Sequence, residues 1–170
     1  MSDVTILIPI HGSAPFLPKT LESIQSQNIS EYKCLLIVDR AEPRAIEFID
    51  EFCKKDKRFT YIESVGTGIS KALNTGLDRI TTKYVARIDC DDWMEPNRLV
   101  SQMRFLEQNP KITIVGSQIK IVSESENFIR NSNFITKTSQ ITKAIKIRNV
   151  VAHPSVMFRT EVIKNYGNYD

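Results

Sequence analysis

The chain has 170 residues, 41% of them hydrophobic and 25% charged, with a formal net charge of +3. That suits one globular α/β-sized unit, and basic charge this scattered gives no support to nucleic-acid binding. Cys34, Cys53 and Cys90 are odd in number and lack metal-ligand spacing, so a reducing compartment without a disulfide framework is expected. No apolar run reaches the length of a membrane span, and the expected placement is cytoplasmic, compatible with peripheral association at the inner face of a membrane.

Residues 4–9, Val-Thr-Ile-Leu-Ile-Pro, form a short, nearly continuous apolar run, the mark of a strand buried on both faces. Phe16, Leu17, Leu21 and Ile24 then recur with helical spacing. A second buried strand over 34–38 ends at Asp39. Residues 41–55 read as a helix with Pro43 near its start and Ile46, Ile49, Phe52 and Cys53 facing inward. A strand over 59–63, a turn at Gly66-Thr67-Gly68 and a helix over 69–80 follow. Residues 84–88 are the fourth strand, 96–108 a helix closed by Asn109-Pro110, and 112–116 the fifth strand. Strands alternating with helices predict a Rossmann-like, doubly wound, mostly parallel sheet with helices on both faces. Beyond Gly116 the pattern weakens. Residues 118–134 read as β with polar interruptions, 139–147 as a helix, 155–158 as a short strand and 160–165 as a helical turn.

The chemistry concentrates at the ends of these strands. Asp89, Asp91 and Asp92 fall within four positions after the fourth strand, and in extended backbone Asp89 and Asp91 point the same way. Like charges this close repel, and a hard divalent cation neutralises them while keeping positions for water and substrate phosphates. Two readings stand on these residues alone: a metal–diphosphate site, or a solvated acidic turn ahead of the next helix. Pro9 to Gly12, Asp39 and the acidic cluster all lie at strand carboxyl ends. In a parallel sheet those ends share one edge, where open α/β sheets bind ligands.

In order and spacing, several segments together resemble the family 2 glycosyltransferases of the GT-A fold, and the resemblance covers the whole chain. They are Val4 to Pro9, Leu21 to Gln27, Leu36 to Asp39, Gly68 to Gly76, Arg87 to Asp92, Leu106 to Pro110 and His153 to Arg159. The resemblance implies transfer of a sugar from a nucleotide-diphosphate donor, UDP-sugar first, to a saccharide or lipid-linked acceptor, with inversion and with Mg²⁺ or Mn²⁺. It implies a single domain over 1–170: a βα nucleotide-binding half over 1–116 and the start of an acceptor-side half over 117–170. Pro9, Ile10 and His11 would line the base pocket and Asp39 would hydrogen-bond the base. A plain helix-capping Asp is the other reading of Asp39. Gly68 and Lys71 would face the diphosphate at a helix N-terminus, although a tight turn and a solvated Lys are equally consistent with the residues. Asp91 would bind the metal, with Asp89 beside it near the ribose, and Asp92 would orient the following turn. Cys90 belongs to the nucleotide-contacting stretch, but its side chain points away if the backbone is extended.

The family's base follows a Gly-x-Tyr-Asp turn, which Gly167-Asn168-Tyr169-Asp170 resembles. The chain therefore reads as C-terminally truncated, with its base expected after Asp170 and little transfer activity of its own. His153 is expected to be structural. Arg40 and Gly12 depart from the acidic residue and the Asn common in relatives, beside the predicted base pocket. Receiver domains and haloacid-dehalogenase phosphatases need acidic residues after the first strand, where this chain has His11-Gly12. A non-catalytic nucleotide-sugar-binding or interaction domain is the competing function.

Overall fold

Alternate residues of the first strand enter two different cores. Val4–Gly12 (β1) sends Ile6, Ile8 and Ile10 into a cluster with Leu17, Leu21, Ile24, Ile49, Leu99 and Leu106, while Leu7 packs on the opposite face with Ile37, Leu73 and Leu77. Period-two alternation in a strand with no polar face demands cover on both sides. The computed structural model, which describes residues 2–170, supplies it. Helices Leu17–Gln25 (α1), Pro43–Lys55 (α2) and Arg98–Gln108 (α4) cover one face, and Ile69–Leu77 (α3) covers the other.

With β2 (Lys33–Ala41), β3 (Phe59–Glu63), β4 (Tyr84–Arg87), β5 (Ile114–Val115) and β8 (Met157–Arg159), β1 forms a sheet in the order β3-β2-β1-β4-β8-β5. The pairs β3-β2, β2-β1 and β1-β4 are parallel. The chain builds outward from β1 to β3, then returns to place β4 on the other side of β1. The switch point, and the crevice it opens, lies between β1 and β4.

Two sequence expectations change here. The strand predicted at 112–116 is shorter and does not pair with β4. Instead β8, antiparallel to both, stands between them. Local periodicity carries no information about which distant strand fills an edge. The predicted helices over 69–80 and 96–108 begin or end later or earlier than expected, at Leu77 and Arg98. Bonds from the Arg79 and Ile80 N–H groups to the Gly76 and Leu77 carbonyls tighten the end of α3, and Pro96 lies ahead of α4 with its carbonyl accepting from Asn28 N–H at 2.9 Å.

The polar-interrupted stretch forms a separate hairpin of β6 (Lys120–Val122) and β7 (Phe128–Asn131). It is followed by α5 (Thr138–Ala144), a 3-10 turn at His153–Ser155, β8 and α6 (Glu161–Tyr166). No described helix is long and apolar enough to cross a membrane.

Candidate functional site

Strands β1, β2 and β4 bring their carboxyl ends to one edge, in a register that pairs His11 with Asp39 and Leu7 with Arg87. Asp39 is buried, and its carboxylate is already engaged. One oxygen accepts from Gly68 N–H at 2.7 Å, and the other lies 3.4 Å from Arg40 Nε. His11, exposed beside it, places Nδ1 2.8 Å from the Asp39 carbonyl, so Nδ1 carries the proton. Asp39 therefore does not cap α2, whose N-terminus has no side-chain cap. It fastens the loop that leads into α3.

Gly68 N–H can reach Asp39 because Gly68 sits at φ 99°, a region that residues with a Cβ rarely enter. Gly12, at φ 66°, ends β1 in the left-handed region that Gly and Asn tolerate best. Arg40 takes φ 53° without that freedom. Backbone strain thus gathers at the edge beside the predicted base pocket. Of the residues expected there, Ile10 is fully buried in the core and can offer only backbone, while Pro9 is half-buried. Lys71 is exposed on the first turn of α3, where the leading N–H groups lack intrahelical acceptors.

At the end of β4 the charge is less settled. Asp89, Asp91 and Asp92 each present a carboxylate oxygen within 4.8 Å of the others. They converge because the chain turns, with Asp92 N–H approaching the Asp89 carbonyl at 3.3 Å, and not by the strand alternation expected from sequence. The turn draws in Asp92, which the sequence reading had left outside the metal pair. It also sends Cys90 inward to pack on the larger core, so the Cys90 thiol does not join the carboxylates.

Arg87 answers part of this charge. It is 2% exposed on β4, and its guanidinium grips Asp89 with both terminal nitrogens, one at 2.7 Å from Oδ2. Its Nε is buried without a partner. Arg98, behind the cluster, donates to the Arg87 carbonyl at 2.7 Å, and burial lowers its pKa to about 10, so it stays charged at neutral pH. Two cations do not balance three carboxylates. Burial, and then the Asp89 and Asp91 charges, raise the Asp92 pKa to about 6, and burial raises that of Asp89 despite Arg87. Three hard oxygen donors with excess negative charge suit a divalent cation. Arg87 was missed from sequence, although a lone charge inside Tyr84-Val85-Ala86-Arg87-Ile88, two residues before Asp89, was its signal.

Thr20 and Ser23 of α1, with Gln27 just beyond its end, hold this acidic loop. Thr20 Oγ1 donates to the Cys90 carbonyl at 3.0 Å, Ser23 Oγ accepts from Met94 N–H at 3.0 Å, and Gln27 Nε2 donates to the Glu95 carbonyl at 2.9 Å. A cavity of about 840 Å³ opens beside the carboxylates, lined among others by Asp91, Asp92, Trp93, Phe16 and Ile119. The β6–β7 hairpin forms one wall. Lys120–Glu95 and Lys19–Glu126 ion pairs, both 2.5 Å, tie it down, and Lys19 Nζ also lies 3.7 Å from the centre of the Trp93 ring.

His153 Nε2 lies 3.0 Å from Tyr169 Oη, and burial with the nearby Arg87 charge lowers its pKa to about 4. Tyr169 is anchored in turn, its backbone N–H and C=O both bonded to the Asn74 side chain. His153 is thus neutral at pH 7 and joins the final turn to the site edge.

A glycosyltransferase-type α/β sheet with an acid cluster at its switch point is the class these features define. The model of Glycosyl transferase family 2 matches residues 5–167, and the chain belongs to that family. It is 26% identical over 168 residues to the O-antigen biosynthesis glycosyltransferase WbnJ of Escherichia coli, covering 98% of this chain and 65% of WbnJ. The mannosyltransferase PcManGT of Pyrobaculum calidifontis, solved with GDP-Man and Mn²⁺, superposes with a TM-score of 0.73 at 15% identity over 99% of this chain and 47% of its own. S. aureus TarS 1–349 with UDP-GlcNAc does so with a TM-score of 0.68 at 16% identity, over 97% and 47%. These superpositions establish the GT-A fold. The chain spans less than two thirds of the length of each of these proteins.

Proposed function

We propose that the chain binds a nucleoside-diphosphate sugar across the ends of β1, β2 and β4 and serves transfer of that sugar, with inversion, to a saccharide or lipid-linked hydroxyl acceptor. The observation that carries this reading is the undercompensated Asp89, Asp91 and Asp92 cluster at the switch point, opening directly onto a large cavity. Family membership and the nucleotide sugars with which PcManGT and TarS were solved support it.

The donor's base sits against Pro9, the backbone of Ile10, and His11, with Asp39 as acceptor for a base N–H. Its diphosphate lies toward Gly68, Lys71 and the N-terminus of α3, where backbone N–H groups favour anions. Asp91, Asp92 and Asp89 would hold Mg²⁺ or Mn²⁺, which supplies charge stabilisation for the departing nucleoside diphosphate. Arg87 opposes the rise that burial imposes on the Asp89 pKa and aims its carboxylate. The acceptor enters through the cavity beside Asp92 and Trp93, so residues 1–116 act as the nucleotide half and 117–170 contribute acceptor-side walls. UDP is the first nucleotide to try, then GDP and dTDP. The reaction sits on the cytoplasmic side, where these donors are made.

A thermal-shift panel of nucleoside diphosphates, with Mn²⁺ or with chelator, tests the reading, because a ligand that binds only the native state raises its melting temperature. Stabilisation by one diphosphate with metal, lost in Asp91→Asn, is expected. Equal stabilisation with metal and with chelator rejects the metal role, and no stabilisation by any nucleotide rejects the donor site.

A further inference from the structure

Between Glu126 and Glu161 the chain carries no acidic residue, while Arg130, Lys137, Lys143, Lys146, Arg148 and Arg159 are basic. Arg159 is committed inward, donating to the Ile112 and Leu106 carbonyls. Lys137, Lys143, Lys146 and Arg148 are exposed, on or beside α5. Arg130 of β7 and Arg148 line one cavity of about 310 Å³, so the hairpin and the turn after α5 present their cations together.

The same segments also expose apolar side chains. Ile147 is 88% exposed and Ile145 57%, and Phe128 and Ile129, just before Arg130 on β7, are 61% and 57% exposed. The inward side of α5 is occupied by the half-buried Ile141 and Ala144, so Ile145 and Ile147 are surplus to its packing. A solvent-facing surface gains nothing from bare isoleucines between lysines. An anionic lipid surface rewards both features: the cations meet its negative potential, and the apolar side chains enter the headgroup–acyl boundary.

We propose that α5, the turn after it and the adjoining β7 strand form a docking face for an anionic membrane surface. Two copies of the face would repel one another through their like charges, which disfavours self-association. The exposed apolar residues are mainly isoleucines, which offer a nucleic acid no stacking surface. Docking stands on charge and exposure and does not depend on sugar transfer.

Flotation of the 170-residue chain with vesicles tests the proposal, comparing phosphatidylcholine alone with equal parts phosphatidylcholine and phosphatidylglycerol. Binding to the anionic vesicles only, weakening as salt rises, is expected. The triple variant Lys143→Glu/Lys146→Glu/Arg148→Glu should partition at least about tenfold less, since each basic residue near such a surface contributes roughly fivefold. Ile145→Ser/Ile147→Ser should weaken binding while keeping its salt dependence. Circular dichroism checks that both variants remain folded, and each can stand in for the other if one does not. Equal binding to neutral vesicles, no vesicle binding, or unchanged partition of both folded variants overturns the proposal. So does binding to an RNA oligonucleotide without binding to vesicles, or dimerisation through this face in their absence.

Discussion

Two acidic positions share the ligand edge, and their charges are met in opposite ways. Asp39 is buried but supplied: Gly68 N–H, Arg40 and His11 all lie around its carboxylate. Asp89, Asp91 and Asp92 are closer to solvent yet undersupplied, with Arg87 gripping one of the three and the Asp92 pKa raised to about 6. Burial alone does not mark a ligand site. The balance of charge does: the supplied carboxylate fixes a loop and offers directional acceptors, while the undersupplied cluster leaves room for a cation.

The largest effect should come from removing the cation that grips the cluster directly. Arg87→Met leaves Asp89 partly buried and unpaired, and is expected to cost about 3 kcal/mol in urea unfolding. Arg87→Met/Asp89→Asn should recover much of that loss. A single variant as stable as the parent would mean that the pair contributes nothing and that the contrast between the two acidic positions is wrong.

Titration should show the next effect. The folded pKa of Asp92 is raised above its ordinary 3.8, so the native state holds this proton more tightly than the unfolded chain. In chelator, the Asp92 contribution should be fullest below about pH 4 and fall by about 2 kcal/mol as pH rises to about 6. His153, whose pKa is lowered to about 4, works in the opposite direction over this range, so the Asp92 share is read as the difference between the parent and Asp92→Asn. Asp89 is shifted the same way and adds to the trend. Denaturation curves across this range measure it. Relative to the parent, Asp92→Asn should gain stability as pH rises from about 4 to about 6, and Mn²⁺ should stabilise the parent more at pH 7 than at pH 5. A variant whose stability follows the parent's at every pH would show that Asp92 is already neutralised by the protein.

The smallest effect is expected at the supplied carboxylate. Asp39→Ala strands the Gly68 N–H and should cost about 1 kcal/mol. Competition binding should show a loss of discrimination between nucleotides larger than the loss of pyrophosphate affinity. Asp39→Asn keeps an acceptor for Gly68 and should retain stability while altering base preference. If both variants leave nucleotide preference unchanged, Asp39 serves the loop alone.

The strands over 4–9, 34–38, 59–63 and 84–88 were legible because each is a short apolar run bounded by turn residues, and burial on both faces follows from that pattern. The edge carrying Asp39 and Asp89 followed from the parallel order those runs imply. Less was legible after Gly116, where short elements such as β5 and β8 carry too little periodicity to assign neighbours. Within the site, Asp89 and Asp91 were visible as a pair for the wrong local reason, since a turn and not extended backbone brings them together with Asp92. Thr20 and Ser23 of α1, and Gln27 just beyond it, were readable only as helical spacing until the loop they hold was in place.

The sequence by itself determined the alternating βα order, the two-sided burial of the first strands and the gathering of carboxylates at their ends, because these depend on neighbours within a few residues. Only the tertiary structure decided that β8 separates β4 from β5, that Arg87 answers Asp89, that Asp39 holds Gly68 and that Tyr169 closes onto Asn74 and His153. Each of those joins is made by folding, through hydrogen bonds and charge pairs whose geometry no local pattern encodes.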